Sequence, residues 1–136
     1  MAYTFHRYWD PVTPALVAPY LEFSERYNVP LWMGESGENT YEWIATFREL
    51  LEANAIGWCF WTYKRLDTER CVVSIERTPE WDAIVAFAEH PHTMFKEIRE
   101  QRPSRGVVDR ALRDYLDHIR FETCQINPSY LAALGL

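Results

Sequence analysis

Residues 29–35 read Val-Pro-Leu-Trp-Met-Gly-Glu. The run is short, apolar and β-prone, and it closes on a carboxylate. Stretches of this length and composition form strands. Two more lie on either side. Ala2 to Trp9 reads Ala-Tyr-Thr-Phe-His-Arg-Tyr-Trp, and Ala55 to Tyr63 reads Ala-Ile-Gly-Trp-Cys-Phe-Trp-Thr-Tyr.

Helical patterns fill the gaps. Asp10-Pro11 and Thr13-Pro14 punctuate a loop, and Leu16, Tyr20, Phe23 and Tyr27 then recur at helical spacing. This predicts a helix over about 15–27, kinked or restarted at Pro19. Asn39 is the expected cap of the next helix, with Glu42 reaching back to its amide. Thr78-Pro79 opens a third helix, with Trp81, Ile84, Val85 and Ala88 on one side. Beyond His90 the chain reads as mostly helical, with candidates at 94–101 and 107–121. Asn127-Pro128 starts a last short turn. Strand and helix alternate three times. That order predicts an α/β fold, with three parallel strands and crossover helices on one side.

Alternate residues of a strand face opposite ways. Ala2, Thr4, His6 and Tyr8 share one face of the first run. Leu31, Met33 and Glu35 share one in the second, and Gly57, Cys59, Trp61 and Tyr63 in the third. This parity places Leu31, Met33 and Cys59 on an inner, uncovered face. It sends Trp32, Trp58 and Phe60 under helices. His6, Tyr8, Glu35 and Trp61 then fall at C-terminal strand ends, where ligands bind in parallel α/β folds. Taken singly, each has an ordinary reading: a structural histidine, a packed tyrosine, a loop glutamate, a core tryptophan. Their convergence on one rim favours a site.

The chain has 136 residues, enough for one modest core. Lys and Arg number 14 against 20 Asp and Glu, a net charge of −6. With no Lys/Arg run, nucleic acid and anionic membranes are poor partners. No apolar stretch reaches the roughly 18 residues of a membrane span. Six Trp, eight Tyr and seven Phe suit stacking against flat ligand faces. Cys59, Cys71 and Cys124 form no CxxC pair, so neither a metal nor a disulfide framework is expected, and no cofactor is implied. Internal repeats and low-complexity stretches are absent, and the N-terminus has no signal-peptide pattern.

The ordered motifs resemble the C-terminal part of a barrel of glycoside hydrolase family 5, the cellulase family. Phe5-His6-Arg7-Tyr8 resembles the His-x-Tyr of the family's sixth strand. Val29 to Glu35 resembles the seventh strand, which ends on the nucleophile. Gly57-Trp-Cys-Phe-Trp61-Thr-Tyr-Lys64 resembles the eighth, with its sugar-stacking Trp. The tail from Asn127 to Gly135 resembles the chain end of some bacterial members. The resemblance implies that residues 1–90 are strands six to eight of a (β/α)8 barrel and that 91–136 form a helical C-terminal extension. It implies Glu35 as nucleophile, with Tyr8 donating a hydrogen bond that orients it, and His6 against the sugar or the acid/base. Trp61 would bind substrate, with Trp9 and Tyr63 extending the platform. The substrate would be a β-linked oligo- or polysaccharide, and the parent protein secreted or periplasmic.

The family's Asn-Glu acid/base pair has no counterpart here. A full barrel takes about 250 residues, about 200 at least. A fragment beginning at strand six is therefore expected, with the N-terminal half of the barrel as its partner. As an isolated piece it is expected to be inactive and to be oligomeric or poorly soluble. Glu38 and Glu42 are poor substitutes for the acid/base, since no strand carries them. Three other readings compete: a carbohydrate-binding module, a small complete α/β interaction domain, and a clan relative acting on another glycan. Helical periodicity opposes the first, because such modules are mostly β-sandwiches.

Overall fold

The computed structural model describes residues 1–66 and 68–136. The elements run β1 (Tyr3–His6), α1 (Pro14–Tyr27), β2 (Leu31–Glu35), α2 (Tyr41–Ala53), β3 (Gly57–Trp58), β4 (Lys64–Leu66), β5 (Val73–Ile75), α3 (Pro79–Glu89), α4 (Phe95–Gln101), α5 (Arg105–His118), β6 (Gln125–Ile126) and α6 (Pro128–Ala133). The fold is mixed α/β. It divides into two compact units. One holds Met1–Lys64, Glu69–Val72 and Asn127–Leu136; the other holds Arg65–Thr68 and Val73–Ile126. The boundary expected at residue 90 falls inside the second unit, and the last ten residues return to the first.

In the first unit β1, β2 and β3 form one sheet in that order, and both pairings are parallel. The expected direction of the strands holds. Phe5, Leu31 and Met33 are buried with Val17 of α1 and with Phe47 and Leu51 of α2. Burial of each large side chain contributes about 1.5–3 kcal/mol. Phe5 stacks on Tyr20 at 3.9 Å between ring centroids. A second cluster joins Ile44 of α2 to Tyr130, Ala133 and Leu134. It ties α6 to α2 within the same unit.

The inner-face assignment of Leu31 and Met33 is overturned. Both face the helices, while Trp32, expected under helices, is 46% exposed on the other side. Trp32 pairs with Thr4 and Gly57, and its ring lies where a Gly57 side chain would stand. Trp58 and Phe60 do pack against α2, as parity predicts. The second strand changes phase partway along. Phe5 pairs with Met33, but His6 pairs with Glu35, so Gly34 is an extra residue opposite no partner. Such a bulge shifts a strand's alternation by one. Leu31 and Met33 therefore belong to the helix side, and Glu35 rejoins His6 on the open side.

Helix starts differ in detail. α1 runs continuously through Pro19 and ends on Asn28 in the left-handed region, φ 52°. α2 is capped by Thr40, not Asn39: Thr40 Oγ1 accepts from Trp43 N at 3.2 Å. Glu42 lies exposed in the first turn and has no capping role. Thr78 caps α3 as expected.

The second unit adds a small sheet in the order β4-β5-β6, with β5 and β6 antiparallel. Sequence reading assigned no element to 64–77 and took the chain beyond His90 as mostly helical, so these strands were not expected. Within this unit α3 packs on α5, with Trp81 stacked on Tyr115 at 4.8 Å. Arg110 reaches Glu80 at 3.5 Å. Among the described residues no helix is long and apolar enough to cross a membrane.

Candidate active site

β1 and β2 end side by side. Arg7 N donates to Glu35 O at 3.4 Å, which carries the pairing one step past β1. The Arg7 side chain turns to the helix side, where Nε donates to Tyr20 Oη at 2.8 Å. The next residue, Tyr8, must then turn to the open side. There its hydroxyl donates to Glu35 Oε1. The bulge at Gly34 is what brings Glu35 within reach.

Gly34 has a steric reason to be glycine. A Cβ there would lie 2.5 Å from Thr4 Oγ1 and 3.1 Å from His6 Nε2. His6 therefore leans over the bulge itself, and its ring is solvent-exposed. Two tethers hold the Tyr8 segment. Asn39 Nδ2 donates to Tyr8 O at 3.0 Å, while Asn39 Oδ1 accepts from Thr40 N at 2.8 Å. Trp43 Nε1 donates to Asp10 O at 2.8 Å. Asn39, expected as a helix cap, thus acts on the segment that presents the phenol.

The phenol of Tyr8 is pushed well above its ordinary value. Loss of solvent contact is the largest cause. The hydrogen bond to Glu35 and the charges of Glu35 and Glu38 add to it. Tyr8 therefore keeps its proton across the physiological range and spends it on the hydrogen bond to Glu35.

Trp61 is placed by its backbone. Its N–H donates to Ser36 O at 2.6 Å, and Gly37 bridges to it in parallel. Gly37 has φ 129°, and a side chain there would strike Trp61 O. Tyr130 Oη donates to that same carbonyl at 3.0 Å. The indole itself is 50% exposed, and Trp9 and Tyr63 are 67% and 56% exposed. Lys64 Nζ sits 5.9 Å from the Tyr63 ring centroid.

Of the six residues expected at the site, Tyr8 and Glu35 are in direct contact, and His6 pairs with Glu35 across β1 and β2. Trp61 is anchored to the residue after Glu35. Trp9 follows Tyr8, with 6.5 Å between ring centroids. Tyr63 lies beyond Trp61 and has no described contact with Glu35 or Tyr8. Sequence reading missed Asn39 as a tether, Gly34 as the bulge and Ser36 as the anchor of Trp61. Only the glycine carried a signal, since glycine within a strand marks a bulge. Among the described residues no cluster of three or more His, Cys, Asp or Glu could hold a metal. The rim offers one carboxylate on a strand end, a neutral phenol bonded to it, an imidazole and a flat indole. Comparison with family models, with curated proteins and with solved structures finds no match for this chain.

Proposed function

We propose that this rim is the nucleophile side of a retaining glycoside hydrolase of the cellulase type, the C-terminal three β/α units of a barrel, acting on β-linked glycans. The Tyr8–Glu35 hydrogen bond carries the reading. Retaining glycosidases need a carboxylate held in place to attack the anomeric carbon, with a second carboxyl to protonate the leaving oxygen. Tyr8 fixes Oε1 of Glu35 and leaves Oε2 for attack. Attack forms an ester bond between Glu35 and the anomeric carbon. The leaving oxygen departs with the bonding electron pair. Trp61 offers its face to the sugar ring, Trp9 and Tyr63 widen the platform, and His6 meets sugar hydroxyls. The acid/base carboxyl is not among the strand-end residues.

A leaving group that needs no proton tests the nucleophile alone. The chain is incubated with a fluorinated β-cellobioside activated by dinitrophenolate, then digested and mapped by mass spectrometry. One glycosyl group on Glu35, lost in Glu35→Gln, is the expected result. A chain that stays unlabelled, or labelling unaffected by Glu35→Gln, overturns the reading. The half-exposed Trp9, Trp61 and Tyr63 also suit a second reading, a non-catalytic carbohydrate-binding or interaction domain. That reading predicts cello-oligosaccharide binding with no label on Glu35.

A further inference from the structure

Tyr8 is gripped at both ends by one short segment of chain. Glu35 takes the phenol end, accepting from the Tyr8 hydroxyl. Asn39, four residues on, takes the main-chain end, where its Nδ2 donates to Tyr8 O at 3.0 Å. The stretch between them is itself fixed. Ser36 O accepts from Trp61 N at 2.6 Å, and Gly37 bridges to Trp61 in parallel. Gly37 and Glu38 then turn the chain, with φ 129° and 52°. The backbone bond beside Tyr8 is a weaker hold: Arg7 N reaches Glu35 O at 3.4 Å, long for an amide hydrogen bond.

The Asn39 side chain is set in one orientation. Its Oδ1 accepts from Thr40 N at 2.8 Å, a group that can only donate. That contact turns Nδ2, also a donor only, to the Tyr8 carbonyl, which can only accept. Flipping the amide would set donor against donor and acceptor against acceptor. Helix α2 takes its cap from Thr40, so the Asn39 amide serves the Tyr8 segment.

We propose that Asn39 is a positioning residue for Glu35 and acts through Tyr8: by holding the Tyr8 carbonyl it keeps the phenol on Oε1 of Glu35. The role of Glu35 as nucleophile rests on the glycosidase reading. The hold of Asn39 on the Tyr8–Glu35 contact does not.

Alkaline difference absorbance of the full chain reads that contact without any substrate. The Tyr130→Phe background leaves Tyr8 as the late phenol. There Asn39→Ala should bring the Tyr8 step down by about half to one pH unit, the scale of one neutral hydrogen bond. Asn39→Ser, polar but too short to reach Tyr8 O, should do the same. Thr40→Ala removes the α2 cap instead. It should lower the melting temperature and leave the Tyr8 step in place. Circular dichroism confirms that each variant keeps its helix content. A Tyr8 step unmoved by Asn39→Ala and Asn39→Ser overturns the proposal. So does a step that Thr40→Ala moves equally, because loosening of α2 would then suffice. Labelling of Glu35 by the activated β-cellobioside supplies a second arm. Asn39→Ala should slow it about five- to tenfold, and should slow it no further in a Tyr8→Phe chain. An equal loss in both backgrounds overturns action through Tyr8. If no variant is labelled, the glycosidase reading fails, and the titration alone decides whether Asn39 holds Tyr8.

Discussion

The Tyr8 hydroxyl donates to Glu35 Oε1 across a gap of 27 residues in sequence. Two local events make the contact. Arg7 is pulled to the helix side by Tyr20, which turns Tyr8 to the open side. Gly34 inserts an extra residue in β2, which turns Glu35 the same way. Neither event alone would bring the pair together.

Tyr8→Phe removes the donor and keeps the ring. Glycosylation of Glu35 by the activated β-cellobioside should slow by about 10²-fold, the usual scale for losing one preorganised donor. Alkaline difference absorbance gives a second reading. In the folded chain two phenols should titrate late, Tyr130 at about 12 and Tyr8 beyond it, and Tyr8→Phe should delete the later step alone. If that later step survives, Tyr8 is not held as described.

Gly34→Ala should destabilise the fold by about 1–3 kcal/mol, the range for forcing extra volume into a packed site. The new methyl meets Thr4 Oγ1 at 2.5 Å. Thr4→Ala removes that oxygen, so the double variant should recover part of the loss. Thermal unfolding of the four proteins decides it. An unchanged Gly34→Ala variant would mean that the bulge is free to relax.

Residues 2–9, 29–35 and 55–63 announce their strands through composition, and the helices between them announce parallel pairing. The bulge was not legible as a change of face. A strict alternation rule has no place for an extra residue, and Gly34 was its one trace. The cap of α2 was misread for a non-local reason: Asn39 and Thr40 are both good caps, but the Tyr8 carbonyl claims the Asn39 amide. The strands β4, β5 and β6 have two or three residues each, too few to show any period. The rim residues were legible because each ends a strand run. Asn39 and Ser36, which help to hold them, lie outside the strands and helices, where sequence has no periodicity to read.

Tyr130 should govern part of the alkaline stability. Burial, then the charges of Cys71, Cys59 and Tyr41 once ionised, raise its phenol from 10.0 to about 12. The folded state therefore holds this proton more tightly than the unfolded state. The stabilisation is fully present below pH 10 and is lost as pH rises through about 12. Tyr130→Phe should lose about 1 kcal/mol at neutral pH, because Trp61 O loses its donor. Its stability should then fall less steeply with pH across that window. Urea unfolding at several alkaline pH values measures both effects. Parallel curves for the two proteins would show that Tyr130 does not titrate there.

Turnover of ordinary glycosides should be undetectable, even where the proposed glycosylation of Glu35 by an activated donor is observed. An alcohol leaving group needs a proton, and an acid/base contributes about 10²–10⁴ in rate. The strand ends of the rim supply one carboxylate. Glu38 sits in a loop at φ 52°, and Glu42 lies exposed on the first turn of α2. Neither is carried by a strand to a place opposite Glu35. The glycosyl group should therefore remain on Glu35 after an activated donor has reacted, because no base draws water onto the ester. Reducing-end assays on cello-oligosaccharides, run beside Glu35→Gln, test this. Product formation that Glu35→Gln abolishes would show that a second carboxyl acts after all. Loss of that product in Glu38→Gln, with Glu42→Gln still active, would identify it as Glu38.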